Sequence, residues 1–335
     1  MAEGAARRAG VILHPSSFIL CAFVAVAANA QAPEWKPARN VEIVVSTGAG
    51  GASDRQARTV QKLLQQLAGL QSVTVNNRPG GGGALALQTL AQHPGDAHYL
   101  YVMQTGILVN RITGVATIGY HDLTPIAMLM REHINVWVKS DSPIKSAQDL
   151  VARLKQDPTG LSFGFSNARG NQNHIMIAML ARAAGVDPKA VKVVVYQSGG
   201  QGVTAALGGH VDVWVGSAAT PIPYLKEGTA RSLGIGAGER QPGALASVPT
   251  FREQGIDAVF WDTRGFIGPK GLTPAQVSYW SGTFARMVQD EAWKQELERY
   301  VWAPDYKNAA ETHKFLDAQT EMLTKILNEL GLVKR

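Results

Sequence analysis

Val41-Glu-Ile-Val-Val-Ser-Thr-Gly-Ala-Gly-Gly-Ala-Ser-Asp54 has the pattern of an apolar strand, a glycine turn and the start of a helix. Glycines let the backbone turn sharply and approach a ligand closely. The first N–H groups of a helix have no intrahelical partner, and the helix dipole favours a negative charge beside them. The pattern therefore predicts a site for a small anion, which is either a phosphate of a cofactor or a carboxylate of a free solute.

The same pattern recurs along the chain. Further apolar runs predict strands at 73–75, 99–103, 161–165, 191–195 and 211–215. Most of these runs end in turns rich in Gly, Ser, Thr and Asn, and a predicted helix follows. This alternation predicts an α/β fold with a mostly parallel sheet covered by helices.

The turns fall into two groups, because the alternation restarts near residue 140. Ligands of open α/β sheets bind beyond the carboxyl ends of the strands. Two sheets that face each other would therefore place both groups of turns around one cleft.

The middle and the end of the chain depart from this alternation. Residues 125–130 and 134–138 are predicted as two strands joined by the polar triplet Arg131-Glu-His133. After residue 261 the chain is predicted to be mainly helical, with helices at 274–290, 292–300 and 309–330.

The N-terminus is typical of a secretory signal peptide over residues 1–30. Arg7 and Arg8 precede an apolar run at 18–28, and Ala28-Asn-Ala30 matches a cleavage site. The run is too short to span a bilayer, which argues against a membrane anchor. A lipid anchor on Cys21 is disfavoured because Leu20 is bulkier than the usual residue before a lipidated cysteine. We therefore expect a soluble periplasmic protein without disulfides, since Cys21 is the only cysteine.

Composition and motifs exclude several classes of protein. The formal net charge of +6 is not concentrated in a block of Lys and Arg, so we expect no nucleic-acid partner. The chain has no P-loop lysine, no H-E-x-x-H motif and no cysteine pair. We accordingly expect no metal site and no cofactor.

Two enzyme classes are disfavoured by incomplete motifs. Gly48-x-Gly50 follows a strand as in a dinucleotide fingerprint, but Ser53 replaces the third glycine and Asn76-Asn77 replace the acidic residue that NAD needs. Arg78 would favour the 2′-phosphate of NADP, so a secreted NADP-dependent oxidoreductase remains as the less favoured alternative. A hydrolase is disfavoured because Gly164-Phe-Ser-Asn-Ala168 lacks the last glycine of a nucleophile elbow. We expect no catalytic residues.

Asp54 and His174 lie just inside predicted helix N-termini. Asp54 either caps its helix or contacts a ligand, and His174 is either a packing or hinge residue or a ligand contact. The sequence leaves both alternatives open.

A series of motifs lies at 46–58, 77–83, 122–127, 166–174, 196–199, 208–213, 247–255 and 264–269. In order and spacing these motifs resemble the extracytoplasmic solute-binding receptors of the tripartite tricarboxylate transporter family, the Bug-type receptors, over nearly the whole mature chain. The chain departs from the family pattern at Ser46 and Thr47, where the family has a proline and an aromatic residue, and at Arg169, where it has a small residue.

The resemblance implies a two-lobed type II periplasmic-binding-protein fold, or Venus flytrap, with two crossover strands. The first lobe would comprise 31–130 and 257–335, including the C-terminal helices, and the second lobe 131–256. The protein would be a monomer that captures a small carboxylate, either a di- or tricarboxylate or an aromatic one, for delivery to membrane permease subunits. The alternative partner is a signalling sensor kinase.

We expect the ligand to be held by backbone N–H groups and small polar side chains at helix starts. The predicted binding residues of the first lobe are Gly50, Gly51, Ser53 and Thr105, and those of the second lobe are Ser166, Gly170, Asn171, Ser198, Gly199 and Gly200. Arg169 is added as a hypothesis, because its guanidinium would bind a second carboxylate bidentately. The alternative is that Arg169 faces solvent, as most arginines do.

Overall fold

The computed structural model describes residues 1, 2, 4, 35–329 and 331–333. The chain divides into a short unit, Met1–Pro33, and a main unit, Glu34–Arg335, to which all described helices and strands belong. The predicted signal peptide, its cleavage site and Cys21 lie outside the described residues.

The strands of the described chain form one continuous sheet of ten. They are β1 Val41–Val45, β2 Val73–Asn77, β3 Tyr99–Met103, β4 Thr124–Lys139, β5 Ser162–Ser166, β6 Lys192–Tyr196, β7 Val213–Ser217, β8 Ala230–Ile235, β9 Trp261–Gly268 and β10 Trp302–Lys307. The strand order is β2-β1-β3-β9-β4-β7-β5-β6, and β8 and β10 also pair with β4.

Helices follow most of the strands. They are α1 Ala52–Leu67, α2 Ala84–Ala91, α3 Gly106–Ile112, α4 Ala147–Gln156, α5 Gln172–Ala183, α6 Gly199–Leu207, α7 Ile222–Lys226, α8 Pro274–Met287, α9 Glu291–Tyr300 and α10 Ala309–Glu329. None of the described helices is long and apolar enough to cross a bilayer.

The sheet has two halves that meet along β4. In the first half β1 pairs in parallel with β2 and β3, and β9 and β10 lie antiparallel to β4. In the second half β5 pairs in parallel with β6 and β7, and β7 and β8 lie antiparallel to β4. The predicted α/β pattern with a restart near residue 140 is confirmed, but the prediction of a mostly parallel sheet is wrong. The sheet is mixed, because β4 and β9 pair antiparallel with their neighbours.

The prediction of two strands joined by Arg131-Glu-His133 is wrong, because β4 is one strand of 16 residues. Glu132 pairs with Trp302 of β10 and Asp262 of β9, and His133 pairs with Trp261. The polar triplet stays within the strand because neighbouring strands surround it and Glu132 has buried hydrogen-bond partners.

The prediction of a mainly helical tail is wrong in part. Helices α8 to α10 are present, and β9 overlaps the second crossover strand, which the resemblance places near 258–264, but β10 and α3 were not predicted. Trp302-Ala-Pro-Asp-Tyr-Lys307 is a poor strand sequence, since Pro304 and Asp305 are both disfavoured in strands. Its pairing with β4 is therefore imposed by tertiary structure. The described part of the last helix ends at Glu329.

Apolar side chains fill the space between the sheet and its helices on both halves. In the first half Ile43, Leu64, Trp280 and Phe284 belong to one buried cluster. A second, larger buried cluster includes Phe163 of β5 and extends over both halves. This packing fixes the positions of the strand ends, and with them the turns that form the site.

Candidate functional site

An enclosed cavity of about 30 Å³ lies where the two halves of the sheet meet. The first half contributes Thr47, Gly51, Ala52, Ser53, Gln104, Glu132, Ile134 and Arg264, and the second half contributes Ser166, Asn167, Asn171, Gln172, Asn173, Gly199, Trp214, Gly216, Ser217 and Thr220. Pockets for drug-sized ligands measure roughly 300–1,000 Å³. The cavity in this structure is therefore at most about a tenth of that size, so a carboxylate of several carbons needs the turns around it to move apart.

The start of α1 is the helix N-terminus best suited to an anion. Its N-cap residue is Gly51, and no side chain caps the helix. The other two helices that begin at the cavity are capped by their own chain: Asn171 Oδ1 accepts the N–H of His174 at 3.1 Å in α5, and Ser198 Oγ accepts the N–H of Gln201 at 3.3 Å in α6. The first N–H groups of α1 therefore remain available.

The turns of the two halves are in direct backbone contact. The Gly48 N–H donates to the Gln197 carbonyl at 3.3 Å. A Cβ added to Gly51 would lie 3.4 Å from the amide nitrogen of Gly199, and one added to Gly48 would lie 3.1 Å from Ser198 Cβ. A methyl group at Gly51 would thus be in ordinary van der Waals contact with the other turn, whereas one at Gly48 would require a small shift of Ser198.

Behind the start of α1 lies a buried network of ionised side chains. Arg264 Nη1 donates to Ser53 Oγ at 2.7 Å, and Nη2 contacts the carboxylates of Glu132 and Asp262, the latter at 2.9 Å. The side chains of Glu132, Asp262 and Arg264 are 2%, 0% and 4% exposed. Since β4 carries Glu132 and β9 carries the other two, the network joins two neighbouring strands.

Both carboxylates have further partners. Glu132 Oε1 accepts hydrogen bonds from Ser217 Oγ and, at 3.1 Å, from Trp302 Nε1. Burial would raise the pKa of Glu132, but Arg264 and Arg55 outweigh burial and hold this pKa below its usual value.

Asp262 accepts the N–H of Thr105 at 2.8 Å and Nε2 of Gln172 at 3.0 Å. Burial raises its pKa above the usual value, Arg264 opposes this rise, and Glu132 adds to it. The two carboxylates thus occupy different electrostatic environments although both contact the same guanidinium.

Five of the predicted binding residues line the cavity: Gly51, Ser53, Ser166, Asn171 and Gly199. The other glycines lie beside it in the same turns, namely Gly50, Gly170 and Gly200. Thr105 and Ser198 are buried and bonded to the protein, since Thr105 Oγ1 accepts the N–H of Thr263 and Ser198 caps α6. The role of all these residues in binding stays a prediction.

The sequence left two interpretations open for each of Asp54, His174 and Arg169, and all three lie outside the cavity lining. Asp54 Oδ2 accepts the N–H of Gly50 and Nε of Arg58, both at 3.0 Å. His174 is buried, its Nδ1 accepts the N–H of Gly170 at 2.8 Å, and burial together with Arg169 lowers its pKa to about 4. Arg169 is exposed, as in the solvent-facing alternative.

Sequence reasoning predicted Ser166 at the end of β5 but missed the other lining residues that lie within strands. Glu132, Trp214, Ser217 and Arg264 belong to β4, β7 and β9, and Gln104 follows β3. One signal was present, because a charged residue between two strongly apolar runs must either break the strand or find a buried partner.

Three exposed side chains outside the cavity, His121, His313 and Asp317, offer ligand atoms within 4.8 Å of one another. Asp317 already accepts a hydrogen bond from the Tyr120 hydroxyl at 2.5 Å. The absence of a metal therefore remains an expectation.

Comparisons with known proteins agree with the fold and the resemblance. Residues 56–332 match the TctC family, described as the tripartite tricarboxylate transporter family receptor. The chain is 30% identical to the UPF0065 protein in the gbd 5′ region of Cupriavidus necator, over 98% of this chain and 97% of the relative. It is 24% identical to BugT of Bordetella pertussis, over 93% of this chain and 95% of BugT.

Solved structures of the same architecture include the periplasmic binding protein BugD, with a TM-score of 0.81, 20% identity and coverage of 90% of this chain and 100% of BugD. An R. palustris protein solved with adipate has a TM-score of 0.82, 24% identity and coverage of 88% and 98%. MatC of Rhodopseudomonas palustris, solved with malate, has a TM-score of 0.78, 22% identity and coverage of 87% and 100%. These likenesses confirm the predicted type II periplasmic-binding-protein fold, and the family match together with the C. necator relative shows that the chain belongs to the receptors of the tripartite tricarboxylate transporter family.

Proposed function

We propose that this receptor captures a small carboxylate in the cavity between the two halves of the sheet and delivers it to the membrane permease of its transporter. The observation that carries the proposal is the start of α1, where Gly51, Ala52 and Ser53 line the cavity and no side chain caps the helix. Free N–H groups at a helix start stabilise an anion without a buried cation dedicated to it.

Two further features support the same ligand class. The start of α6 at Gly199 faces the start of α1, so two helix N-termini converge on one small space. Two solved proteins of this fold hold malate and adipate, and both of these ligands are carboxylates.

The captured solute bridges two lobes. The first comprises residues 31–130 and 257–335, and the second comprises 131–256, with crossovers in β4 and at the start of β9. The ligand favours the closed arrangement because it contacts both lobes, and the closed form is the one that docks on the permease. The receptor works as a monomer in the periplasm after export by its signal peptide.

Thermal unfolding against a panel of mono-, di- and tricarboxylates, aromatic acids and NADP tests the proposal. A ligand at about 100 times its dissociation constant adds roughly 2.7 kcal/mol of stability, which is several degrees for a chain of this size. We expect a rise in Tm with at least one carboxylate and recovery of that ligand unaltered. A rise with NADP alone would contradict the proposal and favour the oxidoreductase.

A further inference from the structure

Three buried polar atoms of the cavity wall have no hydrogen-bond partner among the described residues: Thr47 Oγ1, Gln172 Oε1 and Arg264 Nε. The residues that carry them are 6%, 5% and 3% exposed. Buried polar atoms in native proteins are almost always hydrogen-bonded. Eight further buried polar atoms without a partner lie elsewhere among the described residues, but these three belong to residues that line the cavity, where a polar ligand would give them partners.

The chemistry of two of these atoms suits a carboxylate. Arg264 Nε carries a proton that it can only donate, and the hydroxyl of Thr47 can donate as well. Together with the N–H groups at the start of α1, they match the oxygens of an anionic ligand.

Gln172 offers a hydrogen-bond acceptor instead of a donor. Its Nε2 donates to Asp262 Oδ2, which also contacts Arg264, while Asp262 Oδ1 accepts the N–H of Thr105. Because the carboxylate of Asp262 is an acceptor, the amide of Gln172 presents its NH₂ group there and leaves Oε1 as an acceptor with no donor. The wall therefore combines donors for a carboxylate with one acceptor.

We propose that Gln172 determines specificity by accepting a hydrogen bond from a hydroxyl of the ligand, so that the preferred solute is a short hydroxycarboxylate. This inference rests on the proposed capture of a carboxylate. A hydroxyl fits better than an ammonium, because both oxygens of Glu132 and of Asp262 already have partners and Arg264 would repel a cation.

The position of Gln172 also ties this selection to the closed form. Gln172 is the first residue of α5 in the second half of the sheet, whereas Asp262 lies on β9 in the first half. The bond that orients the amide thus forms across the cavity, so the acceptor is in place when the two halves meet.

Calorimetric titration with matched ligand pairs tests the inference. The pairs are malate with succinate and lactate with propionate, which differ by one hydroxyl. The protein is purified from the periplasm after expression of the full-length chain, as wild type, as Gln172→Met and as the control Gln66→Met on the exposed face of α1. Methionine keeps the length of the side chain and removes the amide.

We expect the wild type and Gln66→Met to bind the hydroxylated member of a pair about tenfold more tightly, a ratio that corresponds to 1.4 kcal/mol. In Gln172→Met this ratio falls to about one, because the hydroxycarboxylate binds more weakly while the unsubstituted acid is unaffected. The inference is overturned if the wild type binds both acids of each pair equally. It is also overturned if Gln172→Met keeps the preference for the hydroxylated acid, or if this variant loses affinity for both acids of a pair to the same extent. If no carboxylate binds at all, the proposed function fails and the inference fails with it.

Discussion

Arg264 is the residue on which the buried part of the site depends. It contacts two carboxylates and the hydroxyl of Ser53, and its side chain is 4% exposed. Removing one partner of a buried ion pair leaves the other charge without compensation, which is more costly than losing the contact itself.

We expect Arg264→Met to lower the free energy of unfolding by about 3–5 kcal/mol. Glu132 and Asp262 would then be buried beside each other without a cation. Urea unfolding measures the loss, and Arg252→Met, at an exposed arginine, serves as the control with an expected change below about 0.5 kcal/mol. Equal stability of the two variants would show that the network contributes nothing.

His174 contributes to the dependence of the protein's stability on pH. Burial, with a smaller effect of Arg169, lowers its pKa to about 4, whereas an unfolded histidine titrates near 6.5. Between these two pH values the imidazole therefore binds a proton in the unfolded chain but not in the folded chain. The stabilisation is complete above pH 6.5 and is lost as the pH falls toward 4.

Replacing His174 by Gln should flatten this part of the pH profile. Since one unit of pKa corresponds to 1.36 kcal/mol, the wild type should lose roughly 3 kcal/mol more than the variant between pH 7 and pH 4. Urea unfolding at several pH values measures the difference, with His210→Gln at an exposed position as control. Parallel profiles of wild type and His174→Gln would contradict a neutral buried imidazole.

At the scale of elements, β4 is the strand that holds the sheet together. It pairs with β9 and β10 on one half and with β7 and β8 on the other. Backbone amides that are paired on both edges of a central strand exchange with solvent only when a large part of the fold opens.

Hydrogen exchange should therefore find residues 128–136 among the most protected, including the triplet Arg131-Glu-His133. The comparison segment is the exposed turn at 68–72, which we expect to exchange early. Exchange of 131–133 as fast as that turn would indicate two strands with a flexible joint.

The elements also show what the sequence can and cannot predict. The helix starts were predictable because glycines and small polar residues at a strand end have local causes, and Gly51, Ser53, Asn171 and Gly199 do line the cavity. The pair of Glu132 and Arg264 was not predictable, because these residues are 132 positions apart and only the pairing of β4 with β9 brings them together. From the sequence alone, a charged residue such as Glu132 within an apolar run therefore suggests that the strand is interrupted there.

At the scale of the whole molecule, we interpret the contact between the turns as the closed form of the proposed two-lobed receptor. Gly51 has extended backbone angles, so a larger residue is tolerated locally. A Cβ there is already in van der Waals contact with Gly199 across the cavity, which leaves little room for a longer side chain. The opening and closing of the lobes can therefore be tested at a single position.

We expect Gly51→Leu to hold the lobes apart, to increase the radius of gyration in small-angle scattering and to weaken carboxylate binding at least about tenfold. Ligand should compact the wild type and leave the variant expanded. Gly238→Leu, at an exposed glycine, should behave like the wild type. An unchanged radius in Gly51→Leu with ligand would contradict closure through this contact.

The most direct test of the binding site is a crystal structure of the protein with the carboxylate that gives the largest thermal stabilisation. The carboxylate should lie in the cavity, with an oxygen within about 3 Å of the backbone N–H groups of Ala52 or Ser53, and with contacts to the Gly199 turn. A ligand bound elsewhere, or bound in the cavity without contact to the start of α1, would contradict the proposed capture of an anion at this helix.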